Sequence, residues 1–93
     1  MITHVVSMTF ADNGNREEAK RRLEALPADI EQIRSMTVGL DVVGDKLAAD
    51  LVLITTHQDV ADLKAYQSHP VHQEFGGWLR PLLTSRVVVD FES

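Results

Sequence analysis

The segment Tyr66-Gln67-Ser68-His69-Pro70-Val71-His72 places a phenol and two imidazoles within seven residues, the densest polar cluster in the chain. Imidazole titrates near neutrality, so it can take or give a proton at working pH. A phenol can hydrogen-bond a carbonyl and hold the negative charge that develops on it as an enolate forms. A third imidazole, His4, lies on the apolar side of an alternating segment, Ile2-His4-Val6-Met8-Phe10. Buried there, it needs a hydrogen-bond partner: Tyr66, His72, a backbone carbonyl or water. The sharp reading is a small-molecule pocket lined by His4, Tyr66, His72, Phe75 and Trp78. In it His72 removes a proton alpha to a carbonyl, Tyr66 stabilises the enolate and His4 stands by as a third catalytic group.

Each of these residues has a plainer reading. His69, before Pro70, can be a cap or turn residue, and His72 a helix-start residue. His4 can be a satisfied core histidine, and Tyr66 a core tyrosine with its hydroxyl at the rim. Phe75 and Trp78 stand at helical spacing, as core residues do. His57, beside Gln58 and Asp59, reads as solvated. No metal site is expected. His69 and His72 are three apart, but Pro70 between them prevents regular helical presentation of both rings, and His4, Glu74 and Asp90 are not tied to them by spacing. A phosphate loop, a Gly-x-Gly-x-x-Gly turn and a Ser or Cys nucleophile context are all missing, so no cofactor is implied.

The elements that must position these groups follow from periodicity. Ile2 to Phe10 alternates with period two and reads as a strand, with Thr3, Val5, Ser7 and Thr9 on its other face. Asp12-Asn13-Gly14-Asn15 turns the chain. Asn15 followed by Glu18 resembles a capping box, opening an amphipathic helix through Ala19, Leu23 and Leu26 that ends near Pro27. A second strand spans Ile33 to Val43 and a third Ala49 to His57, the third apolar on both faces and therefore central. Asp59 starts a second helix that stops before Pro70. Val71 to Leu83 reads as a short or broken helix, weakened by Gly76, Gly77 and Pro81. The last strand, Arg86 to Phe91, is apolar on both sides. The order is that of a ferredoxin-like βαββαβ fold, α+β, with a four-stranded antiparallel sheet. One sheet face is left apolar and uncovered, which predicts a homodimer packed sheet to sheet.

Composition narrows the function classes. The 93 residues allow one domain, 1–93. Fourteen acidic residues against nine basic ones give a net charge of −5, which opposes binding to nucleic acid or an anionic membrane. With no cysteine, disulfide scaffolds, thiolate metal sites and cysteine catalysis drop out. Neither a bilayer-length apolar run nor a signal peptide is evident, so a cytoplasmic location is expected.

The opening Ile2-Thr3-His4-Val5-Val6, the block Leu63 to Phe75 with its Tyr-x-x-His-Pro-x-His stretch, and the ending Ser85 to Phe91 resemble the stress-responsive A/B barrel (Dabb) family. The resemblance covers essentially the whole chain and implies a ferredoxin-like chain forming a dimeric α+β barrel. A plant cyclase of that family closes a polyketide by aldol condensation without a cofactor. Its tyrosine and histidine correspond to Tyr66 and His72, its strand-one histidine to His4, and the first histidine of the stretch to His69, which joins Phe75 and Trp78 as a ligand contact. Where the cyclase has a further histidine in strand three, this chain has Asp50-Leu51, which implies a more apolar pocket. Two other readings stand beside the pocket: a non-catalytic, stress-related dimeric module, and a cofactor-free monooxygenase acting on a phenolic ring, as in other dimeric α+β barrels.

Overall fold

The computed structural model describes residues 1–93. Four strands, β1 (Ile2–Phe10), β2 (Ser35–Leu40), β3 (Leu51–His57) and β4 (Leu83–Glu92), form one antiparallel sheet in the order β2-β3-β1-β4. Three helices, α1 (Arg16–Ala25), α2 (Val60–Ser68) and α3 (Pro70–Leu79), complete the ferredoxin-like α+β fold. None is long and apolar enough to cross a membrane.

Alternation on β1 and β3 decides which way the sheet faces. Ile2, His4, Val6, Met8 and Phe10 are buried beneath the helices, as are Leu51, Leu53, Thr55 and His57. Ala19 and Leu23 from α1, Leu63 and Tyr66 from α2, and Phe75 and Leu79 from α3 close over them in one apolar cluster. On the opposite face, the register lines up Thr37, Ile54, Val5 and Val89 in one row, with Gly39, Val52, Ser7 and Val87 in the next. No helix covers that face. Val87, Val89 and Phe91 are 59%, 56% and 47% exposed.

Several boundaries differ from the periodic reading, each for a local reason. The second strand stops at Leu40 rather than Val43, because its partner β3 begins at Leu51, opposite Leu40. Beyond the Asp41 N–H···O=C Asp50 bond the chain leaves the ladder. It turns at Gly44, whose φ of +75° suits glycine. The entry to α1 is not a capping box: the Asn15 side chain caps nothing. Asp12 instead accepts from the Gly14 N–H at 2.9 Å and organises a 3₁₀ turn over Asn13–Asn15 that runs into the helix. Helix α3 is unbroken through Gly76 and Gly77 and tightens into a 3₁₀ turn at Arg80–Leu82. Burial of Phe75 and Leu79 outweighs the cost of about 1 kcal/mol that each glycine carries in a helix. The last strand begins at Leu83, earlier than Arg86, because Phe10 at the far end of β1 supplies a partner there.

This division between covered and open surface predicts unequal responses to truncation. Ile30→Ala, at a fully buried position, should lower the unfolding free energy by about 2–5 kcal/mol. Val43→Ala, at a position 81% exposed, should change it by less than about 0.5 kcal/mol. Urea denaturation of both variants measures the contrast.

Candidate functional site

Tyr66 lies in the last turn of α2 and His72 in the first turn of α3. The corner between them is built by His69 and Pro70. His69 takes an extended conformation, φ −61° and ψ 136°, as a residue before proline prefers. Its Nδ1 accepts the Val71 N–H at 3.1 Å, so His69 caps α3 while Pro70 occupies the first helical position. The bend aims both side chains back toward the sheet. Their rings meet edge to face with centroids 4.6 Å apart.

Two more imidazoles join them from below. His4, 1% exposed, has its ring 6.1 Å from Tyr66. His57, at the end of β3, stacks on Tyr66 at 5.0 Å with an interplanar angle of 29°. The expectation that His57 is solvated is therefore overturned: the side chain is fully buried. The register makes this unavoidable, since His57 has the same parity on β3 as Leu51, Leu53 and Thr55 and faces the core with them. Its polar atoms are satisfied there. Nδ1 donates to the Gln32 carbonyl at 2.8 Å, leaving Nε2 to accept the Thr55 hydroxyl at 2.8 Å. Strand three thus does carry a histidine, at the end opposite Asp50, whose carboxylate accepts the Phe10 N–H at 2.8 Å.

His4 finds its partner in Asp90, directly opposite on β4, through a short contact between Nδ1 and Oδ1. Asp90 is not among the partners that the sequence suggested for His4. The available signal was the alternation of the last strand, which puts Arg86, Val88 and Asp90 on the helix side of the sheet.

Between sheet and helices lies a cavity of about 330 Å³. His4, Tyr66, His72 and Phe75 line it, with Arg80 and Arg86 from the end of α3 and from β4. His69 and Trp78 do not. His69 is turned to its capping role. Trp78 is half-buried and packs against the core toward α1, with the Arg22 guanidinium 4.2 Å above its ring and Phe75 5.9 Å away. Both arginines were missed, because a lone arginine near a helix end or in a strand carries no spacing signal. No group of three or more His, Asp or Glu side chains converges as metal ligands would.

The hydrogen bonds divide the cluster into spent and unspent groups. His57 is committed on both nitrogens and His4 on one. The Tyr66 hydroxyl has no protein partner, and His72 Nδ1 is buried without one. Burial pushes the Tyr66 phenol up to about 12, only partly opposed by the charge of Arg86, so it stays protonated and able to donate. Burial also holds His72 below the ordinary histidine value. The cations Arg86 and Arg80 push the same way, against the Gln67 carbonyl, so the ring is a free base at neutral pH. His57 is lowered too, by burial first, with its bond to the Gln32 carbonyl opposing.

An antiparallel sheet with helices on one face, and a cavity between the two, defines a ferredoxin-like α+β protein. The chain belongs to the stress responsive A/B barrel domain family, which it matches over residues 2–93. It is similar to a dimeric ferredoxin-like protein of unknown function from Thermobifida fusca YX, with TM-score 0.87 and 25% identity over 99% of this chain and 90% of that one. A dimeric protein of ferredoxin-like fold from Bacteroides fragilis NCTC 9343 is 30% identical, with TM-score 0.81 over 99% of this chain and 95% of that one. Two enzymes share the fold at lower identity. The hydroxynitrile lyase of Passiflora edulis is 15% identical, with TM-score 0.83 over 97% and 90% of the two chains. A cofactor-independent oxygenase from Streptomyces nogalater is 18% identical, with TM-score 0.79 over 99% and 91%. No curated protein matches the sequence.

The two depressed imidazoles fix the sign of a pH effect on stability. Below the ordinary value of 6.5 the unfolded chain protonates both rings while the folded chain holds them neutral. Unfolding then takes up protons, so stability is full above pH 6.5 and falls as the pH drops toward the folded-state values. Urea midpoints should therefore be lower at pH 5 than at pH 7.5. Histidine NMR titrations should show His57 and His72 protonating below 6.5.

Proposed function

We propose that the chain works as a homodimer whose cavity binds a small carbonyl or phenolic compound, and that His72 and Tyr66 perform cofactor-free proton abstraction on it. The observation that carries this reading is the Tyr66 phenol, whose hydroxyl makes no protein hydrogen bond, edge to face with the half-buried ring of His72, whose Nδ1 is buried without a partner. His57, by contrast, is satisfied at both nitrogens within the fold. A free-base His72 can accept a proton alpha to a carbonyl. The protonated Tyr66 hydroxyl donates to the carbonyl oxygen and holds the charge that arrives there. His4, oriented by Asp90, stands at the same cavity as a second acid–base group. The fold shared with a lyase and an oxygenase supports chemistry in such a cavity, and the choice between them rests on the residues here.

The dimer follows from the open sheet face. Val5, Val52, Ile54, Val87, Val89 and Phe91 form one apolar surface, and a second copy related by two-fold symmetry would cover both. The dimeric structures similar to this chain support that arrangement.

A second reading, a structural module without chemistry, draws on His57 being bonded at both nitrogens within the fold and on His69 serving as the cap of α3. Hydrogen–deuterium exchange at the activated methylene of an aryl β-diketone, followed by NMR, separates the two. Wild type should accelerate exchange. His72→Ala should lose about 10²–10⁴ of that acceleration, and Tyr66→Phe about 10²–10³. Exchange no faster than in buffer, or unchanged in both variants, refutes proton abstraction by His72 and Tyr66. Sedimentation equilibrium tests the dimer: wild type should run at twice the chain mass of 10.4 kDa and Val89→Glu at the chain mass, and a wild-type monomer at micromolar concentration would refute it.

A further inference from the structure

The charges around the cavity are sorted in a way that proton abstraction does not require. The chain carries fourteen acidic side chains and a net charge of −5, yet none of the residues lining the cavity is Asp or Glu. Two of its six arginines, Arg80 and Arg86, do line it. The other four are hydrogen-bonded elsewhere. Arg16 donates to the Asp41 carbonyl, Arg21 and Arg22 to Glu18, and Arg34 to Gln58. Arg80 and Arg86 alone make neither an ion pair nor a hydrogen bond, and the acid nearest them along β4, Asp90, is engaged by His4.

Their placement is built into the backbone. Arg86 lies opposite Met8 in the β1–β4 register, on the helix side of the sheet. Arg80 folds back along α3 over Gly76, where a Cβ would come within 2.8 Å of its Nη2, so the glycine leaves room for the guanidinium at the cavity wall. A guanidinium presents a planar fork of donors that matches a carboxylate.

We propose that Arg80 and Arg86 form an anion-recognition subsite, and that the ligand of this cavity is a carboxylate-bearing phenolic or carbonyl compound. The inference rests on the pocket reading above and adds the charge of the ligand to it. The carboxylate is held at the arginine end, and the reactive carbonyl or phenolic oxygen lies toward Tyr66 and His72.

Isothermal titration calorimetry with 1-hydroxy-2-naphthoate and its neutral amide, 1-hydroxy-2-naphthamide, tests this on one carbon skeleton. Wild type should bind the acid at least about tenfold more tightly than the amide, with the difference shrinking as salt is raised. In the Arg80→Gln/Arg86→Gln double variant the preference for the acid should vanish, the acid binding no better than the amide. Gly76→Ala, which displaces the Arg80 guanidinium, should narrow the preference in the same direction. Equal binding of acid and amide to wild type, or a preference that survives in the double variant, overturns the anion subsite and leaves the pocket standing. Failure of both compounds to bind removes the pocket reading, and the subsite with it.

Discussion

The contact on which the site depends is the stack of Tyr66 on His57. Tyr66 is the largest side chain that is wholly buried, and its ring is held from beneath by an imidazole that is itself pinned at both nitrogens. Such a double anchor fixes the tautomer and the plane of His57, and so fixes the surface on which the phenol rests. His72 then approaches the edge of the same phenol because Pro70 and the His69 cap set the angle between α2 and α3. Remove the anchor and the corner would still form, but it would aim two polar side chains at a loose wall.

Electrostatics follow from that packing. Burial raises the energy of any charged form, so the Tyr66 phenol keeps its proton and the His57 and His72 imidazoles shed theirs. The result is a set of neutral, hydrogen-bonding groups in an apolar setting, flanked by two cations at the cavity wall. A ligand whose charge grows during reaction would meet fixed dipoles already aimed at it rather than water that must reorganise.

Much of this was legible in the sequence. Period-two alternation located β1 and β3, and Pro70 located the corner between the last two helices. Together they brought His4, Tyr66, His72 and Phe75 to one cavity. What escaped was of two kinds. His57 was misjudged because its neighbours Gln58 and Asp59 are polar, whereas strand parity, not neighbour polarity, decides which way a side chain points. Asp90 and Arg86 are brought to His4 and to the cavity by the β1–β4 register, which leaves no trace in local spacing, and Arg80 reaches the cavity wall only because its neighbour one turn back is Gly76. Trp78 shares the helical spacing of Phe75 but packs against the core beneath Arg22 of α1 rather than lining the cavity.

The carboxylate that orients His4 comes from β4, a strand with a neighbour on only one side. The other three rings hang from β3, α2 and α3. The site is therefore assembled from two pieces, an aromatic block and an acid carried on the edge strand. Slipping β4 by one residue would rotate Asp90 to the far side of the sheet and bring a valine or phenylalanine into its place, while leaving the stack of Tyr66 on His57 intact. Sequence drift in this strand could thus retune or silence His4 without disturbing the core, so that one scaffold could host members with and without an acid–base partner at that position.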